Sequence, residues 1–334
     1  MLEQYLQYLG HVRHLSVNTL RAYRRDLELY FTFLESQNWQ PESIDAGKAR
    51  AFVGFLSRRG LSSRSINRVL SAVRSYYRFH DRVGGKAGNP FSSVKSLKAA
   101  GKLPTFLFEE EIEQLFEGEP EDFWQLRDLL IVELLYSTGC RVSELASIDL
   151  TDLDLKEAAL RVLGKGGKER LVFIGGRALQ RLREYLNLLK AKGLSKADGQ
   201  KALLINRRGN RLSVRGIQLT VDRFLSRSVL VKPASPHTFR HSFATHILKG
   251  GADIRIVQEL LGHASLSTTQ VYTHLDMERL RRVYRSAHPH ARVKGKQDPA
   301  PAQNHGRASK RGDRPRDRLP KAGDGASHMQ MEMR

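Results

Sequence analysis

Cysteine is almost missing from this chain: Cys140 is the only one in 334 residues. A lone thiol excludes an internal disulfide and a thiolate metal cluster, and its rarity points to a reducing, cytoplasmic setting. Cys140 itself reads as a small buried apolar residue. Long hydrophobic runs are missing as well. The most apolar stretch, 129–136, is interrupted by Glu133 and falls far short of the roughly 18 apolar residues that a membrane-spanning helix needs. Glu3, Gln4 and Gln7 stand where a secretory signal would need apolar residues. Hydrophobic residues at 40% and charged residues at 27% are ordinary for a globular protein, which argues against wholesale disorder or a fibrous repeat. No internal repeat is legible. The length fits two domains at roughly 150 residues each.

Acidic residues are also scarce relative to basic ones. Against 35 Asp and Glu stand 56 Lys and Arg, a net charge of +21. A polyanion is the expected partner. The basic C-terminal stretch does not account for this excess: residues 289–334 hold 11 Lys/Arg and 5 Asp/Glu, which leaves +15 on residues 1–288. Nucleic acid fits this distribution better than a membrane surface, because no helix pairs a basic face with an open apolar one.

Periodicity divides the chain into four parts. Residues 1–83 read as helices only, with stripes Leu2, Tyr5, Leu6, Leu9 and Leu20, Tyr23, Leu27, Tyr30, Phe31, Leu34, a third helix over 46–56 and a fourth over 63–80. Arg21, Arg24, Arg25, Arg64, Arg68, Arg74 and Arg78 give two helices of this bundle arginine-rich faces, read here as a DNA-facing surface. Glycine, asparagine, proline and lysine in 84–104 read as a basic linker. Residues 105–288 are mainly helical, with an alternating hairpin around Gly164-Lys165-Gly166-Gly167-Lys168 and a possible third strand at 203–206. Helices are expected over 109–117, 123–137, 237–248 and up to Leu261, with another that carries Tyr272. Residues 289–334 show no apolar periodicity and are assigned to a disordered basic tail. The fold class is therefore mainly α with a small β-sheet or hairpin, α+β.

Several polar residues are left unexplained by these stripes. Arg141 opens a helical run after Thr138-Gly139-Cys140, where backbone N–H groups favour an anion. Lys165 sits on the glycine-rich hairpin; His237 and Arg240 lie one helical turn apart; His263 follows Leu261-Gly262; Tyr272 follows nine residues later. Other chemistries fail on spacing. Lys165 and Lys168 do not complete a phosphate-binding P-loop. His237, His241 and His246 lack the His-Glu-x-x-His pattern of a zinc helix, and Asp149, Asp152 and Asp154 lack the glycine and closing glutamate of a calcium loop.

Each residue alone is unremarkable, yet their order is specific. Arginine, hairpin lysine, His-x-x-Arg, Leu-Gly-His and tyrosine together resemble the tyrosine site-specific recombinases, and within them the Xer recombinases. The resemblance extends over 1–293 and includes Ser16-x-x-Thr19-x-x-x-Tyr23-x-x-Asp26-Leu27, Thr138-Gly139-x-Arg141-Val142-Ser143-Glu144-Leu145, Gly164-Lys165-Gly166-x-Lys168-Glu169-Arg170, His241-Ser242-Phe243-Ala244-Thr245-His246 and Tyr272-Thr273-His274-Leu275. Cys140, Phe173 and Thr238-Phe239 depart from the family pattern without removing a reactive side chain.

The resemblance implies a helical core-binding domain (1–83) and a catalytic domain (105–288) that close as a C-shaped clamp on double-stranded DNA. It implies that Arg141 and Arg240 hold the scissile phosphate, that Tyr272 attacks it to give a 3′-phosphotyrosyl link, that Lys165 protonates the departing 5′ oxygen, and that His237 and His263 manage protons and hydrogen bonds. Exchange through a Holliday junction would then resolve chromosome or plasmid dimers at cell division, with no cofactor, no metal and no nucleotide. The implied partners are a sister Xer recombinase in a heterotetramer, joined by cyclic exchange of the C-terminal helix at 276–287, and a septal DNA translocase as activator. Alternatives are a phage- or transposon-type integrase, a type IB topoisomerase, and a catalytically silent DNA-binding protein.

Overall fold

The computed structural model describes residues 1–84, 88–98, 105–164, 167–194, 201–230, 232–262 and 274–291. The chain forms two compact units, Met1–Pro104 and Thr105–Arg334. Mainly helical structure with one small sheet matches the fold class that the sequence predicts.

The first unit contains α1 (Leu2–His11), α2 (Val17–Ser36), α3 (Ala46–Arg58) and α4 (Ser63–Arg82). Three of the four starts are capped by the side chain that the sequence offers there. Ser16, Asp45 and Ser62 accept the N–H groups of Thr19, Lys48 and Ser65, which satisfies donors that a helix start otherwise leaves open. Along α4, Ile66, Val69, Leu70, Val73 and Tyr77 are buried at helical spacing, so the long apolar stripe becomes the centre of the bundle. Tyr30 and Tyr77 join their hydroxyls there at 2.6 Å, and Tyr77 donates to the Pro41 carbonyl.

Residues 88–98 depart from the expected free linker. Phe91 is fully buried in the bundle core and Val94 nearly so. Arg74, expected on a DNA-facing surface, instead donates to the carbonyls of Phe91 and Val94. Asn67 closes the same segment by exchanging two 2.8 Å bonds with the backbone of Leu97. Two aromatic and aliphatic side chains outweigh the local Gly-Asn-Pro composition once they find an apolar floor.

The second unit is built around α6 (Phe123–Thr138), which is buried on every face. Around it stand α5 (Glu109–Leu115), α7 (Val142–Ser147), α8 (Gly176–Ala191), α9 (Val214–Ser226), α10 (Pro236–Lys249), α11 (Ile254–Leu261) and α12 (His274–Ala287). β1 (Leu153–Asp154), β2 (Ala159–Leu163) and β3 (Glu169–Phe173) form one antiparallel sheet in that order. The hairpin is where the glycine-rich signature places it. The third strand is not: β1 takes the sheet edge, while Ala202 and Ile205 make only isolated bridges to Asp149 and Arg211. Residues 202–205 are buried throughout, so their continuous apolar run fills the main core instead of lining a sheet face.

In the single chain, α12 lies on its own unit, with Leu280, Tyr284 and Ala287 buried in one cluster with Phe243, Ile247 and Val257. The Tyr284 hydroxyl donates to the Ser137 carbonyl at 2.9 Å. The stripe finds both an apolar seat and a buried polar partner within its own chain.

Candidate active site

Among the described residues, the site grows from the end of α6. Gly139 holds a left-handed φ of 62°, and a Cβ there would fall 2.6 Å from the Phe243 ring and 3.0 Å from Leu261. Only glycine lets the chain turn this closely against α10 and α11. Cys140 follows, 1% exposed, and burial pushes its thiol up to about 11. It is a packing residue, not a nucleophile.

Arg141 then stands at the head of α7 with its side chain 37% exposed. Its backbone N–H and its Nη1 donate, each at 2.8 Å, to the two carboxylate oxygens of Glu144. Glu144 is buried, and it also receives a two-pronged bond from Arg170 on β3, at 3.1 and 2.9 Å. Burial alone would raise the Glu144 carboxyl, but the Arg170 fork and the Arg141 N–H outweigh it and hold the group below its ordinary value. Arg170 further donates from Nε to the Leu260 carbonyl.

Arg240, on α10, donates to the carbonyls of Gly139 and Leu261. Burial, followed by the repulsion of Arg141, pulls its guanidinium down to about 10. The bond to Gly139 also brings Arg240 to the turn that carries Arg141, although the two arginines stand about a hundred residues apart in the chain. An anion between them would relieve that repulsion, and planar forks suit the oxygens of a phosphodiester. His237 lies exposed in the first turn of the same helix, three residues before Arg240.

Lys165, His263 and Tyr272 lie outside the described residues, but two of their chain neighbours are in the cluster. A Cβ on Gly164 would stand 3.6 Å from Arg170 Nη1 and 3.9 Å from Glu144 Oε1. Gly262, left-handed at φ 66°, packs directly on the Arg170 side chain. Lys168, by contrast, is exposed. Tyr284, the other tyrosine near the chain's end, is 3% exposed, and burial raises its hydroxyl. His246 is buried with its ring bonded to the Tyr136 hydroxyl, and no group of three His, Cys, Asp or Glu among the described residues is arranged to hold a metal.

In the sequence, Glu144 reads only as a structural partner of Arg141 one helical turn away, and Arg170 only as part of a signature. Their signal is a carboxylate three residues after Arg141 and an arginine at the start of the second hairpin strand.

The phage integrase family matches residues 105–279, and its N-terminal SAM-like domain matches residues 2–84. The tyrosine recombinase XerC of Treponema denticola is 40% identical over 302 residues, covering 87% of this chain and 99% of its own length. The XerC of Pseudomonas entomophila is 44% identical over 295 residues, covering 87% and 96%.

The chain belongs to the phage integrase family.

Within that family it is a tyrosine recombinase of the Xer group, a DNA strand-transfer enzyme that carries out site-specific recombination. A XerD from Bifidobacterium longum is 38% identical over 301 residues, so both Xer names occur among its relatives. The fold agrees. A lambda integrase dimer bound to a core site superposes with a TM-score of 0.62 at 21% identity, covering 81% of this chain and 98% of that one. XerH bound to palindromic difH superposes with a TM-score of 0.62 at 24% identity, covering 85% and 84%.

Proposed function

We propose that this family member cleaves DNA through Tyr272 and rejoins it through a Holliday junction, resolving chromosome or plasmid dimers together with a sister Xer recombinase in the cytoplasm. The reading is supported by the convergence of Arg141 and Arg240 on one turn of the chain: Arg141 bonds Glu144, and Arg240 bonds the carbonyl of Gly139, two residues before Arg141.

A DNA phosphodiester resists attack because its oxygens are negative and its leaving group is an alkoxide. Arg141 and Arg240 answer the first difficulty by binding the non-bridging oxygens, whose charge builds up as phosphorus becomes five-coordinate. The Tyr272 oxygen forms the new bond to phosphorus, and the bond to the 5′ oxygen breaks. Lys165 supplies the proton that this oxygen needs. His237 and His263 donate hydrogen bonds at the phosphate and carry the tyrosine's proton. The phosphotyrosyl ester conserves the energy of the broken bond, so the 5′-hydroxyl of a partner strand reverses the attack without nucleotide.

The test uses the full chain, a sister recombinase and a supercoiled plasmid with two copies of the site mapped by footprinting host DNA. The expected result in EDTA, without nucleotide, is recombinant circles. Relaxed topoisomers alone would indicate a topoisomerase, and binding without any covalent product would indicate a silent DNA-binding protein.

A further inference from the structure

Arg170 is the most heavily engaged side chain of the cluster that the proposed mechanism leaves without a task. Its position is fixed from three directions. It forks Glu144 through Nη1 and Nη2, donates from Nε to the Leu260 carbonyl, and lies on Gly262, where a Cβ would come 2.9 Å from both Cδ and Nε. At 7% exposure it is not placed to meet DNA.

The Glu144 carboxylate offers about four lone-pair positions. Four N–H donors meet it: the backbone N–H and Nη1 of Arg141, and Nη1 and Nη2 of Arg170. Arg141 thus spends one prong of its fork on Glu144. If Arg170 were missing, two lone-pair positions would open on a buried carboxylate, and Arg141 would be the nearest cation. A guanidinium prefers a two-pronged bond to a carboxylate, and the attraction is strong where water is scarce. Arg141 would turn inward, its charge compensated by Glu144 and its fork withdrawn from the scissile phosphate.

We propose that Arg170 is a positioning residue for DNA cleavage: by filling both oxygens of Glu144 it restrains Arg141 to one-pronged contact with that carboxylate and keeps the rest of its fork for the scissile phosphate. The proposal rests on the reading of Arg141 as a phosphate-binding residue. It assigns Glu144 a double character, since the carboxylate that orients Arg141 becomes its competitor once Arg170 is gone.

The experiment measures single-turnover cleavage and equilibrium binding of a nicked suicide duplex carrying the footprinted site, for the full chain and five variants. Arg170→Met is expected to slow cleavage by about 10²-fold, the scale of losing one transition-state donor, with DNA affinity within about twofold of wild type. Adding Glu144→Gln to Arg170→Met removes the competitor and is expected to recover about tenfold, a coupling typical of contacting residues. Arg170→Lys keeps a charge but not a fork; it gives a milder defect, again relieved by Glu144→Gln, and serves if the methionine variant does not fold by circular dichroism. A wild-type cleavage rate in Arg170→Lys, or a defect that Glu144→Gln does not relieve in either background, overturns the proposal. The fifth variant, Arg141→Ala, separates the two levels: undiminished cleavage there defeats the reading of Arg141 itself, whatever Arg170 does.

Discussion

Arg141 and Arg240 reach the site by different routes, and each route sets what a substitution should do. Arg141 is held by one carboxylate, Arg240 by two backbone carbonyls. Arg141→Ala and Arg240→Ala are each expected to slow single-turnover cleavage by on the order of 10²-fold or more, with folding intact; near wild-type rates would contradict the assignment. Lys165→Ala should regain cleavage when the 5′ leaving oxygen is replaced by sulfur, since a thiolate leaves without a proton, whereas Lys168→Ala should show no such rescue. Both arginines stand out in the sequence because their motifs mark them one by one, and the structure brings Arg240 to the turn that carries Arg141. The Glu144–Arg170 fork does not stand out, because its partners are 26 residues apart and come together only when the β2–β3 hairpin packs against α7.

At the scale of elements, local signals served helix starts well and tertiary placement poorly. Ser16, Asp45, Ser62 and Asp253 cap where the sequence offers a capping side chain, since capping is decided within four residues. α8 and α9 lie where composition predicts only mainly helical character, although Ala178, Leu182, Tyr185 and Leu189 carry a clear stripe. Residues 88–98 look like a linker because nothing local reveals that Phe91 has a pocket. The stripe on α12 reads the same whether it packs on its own chain or on another; in the single chain it is seated on its own unit.

That seat makes an acid-sensitive prediction. His288 follows α12 in full burial, its ring stacked on Tyr284 and near Tyr136 and Phe243. Burial, then the neighbouring His290, lowers it to about 3, while Glu109, Lys249 and Arg285 line the adjacent cavity of about 440 Å³ and Glu113 faces His290. A histidine released into water titrates at about 6.5. The released segment therefore binds more protons below that pH, so docking is fully stable above about 6.5 and weakens as pH falls toward 3, by about 2 kcal/mol at pH 5. Hydrogen exchange over 280–291 should accelerate between pH 7.5 and 5 after correction for intrinsic rates. His288→Phe should abolish most of that change, and an unchanged pH response in the variant would assign it elsewhere.

For the whole molecule, charge is the governing quantity. A net +21 on a protein that acts on DNA implies release of many counterions, so binding should weaken steeply with salt. Truncation after Lys294 removes nine Lys/Arg and five Asp/Glu. It should preserve cleavage, lower affinity for unrelated DNA and flatten the salt dependence slightly; loss of cleavage would give those last forty residues a part in the chemistry. The structure divides the chain into two compact units, and periodicity and charge suggest a division there too, whereas the end of the first core is hidden by its polar last loop.

The proposed joining of Tyr272 to DNA, with Arg141 and Arg240 holding the phosphate, is read by trapping on a nicked suicide duplex, followed by protease digestion and mass spectrometry of the DNA-linked peptide. One adduct is expected, on Tyr272 and to a 3′ phosphate, formed in EDTA and abolished by Tyr272→Phe with DNA affinity retained. An adduct that persists in Tyr272→Phe, or that maps to any other residue, would contradict it.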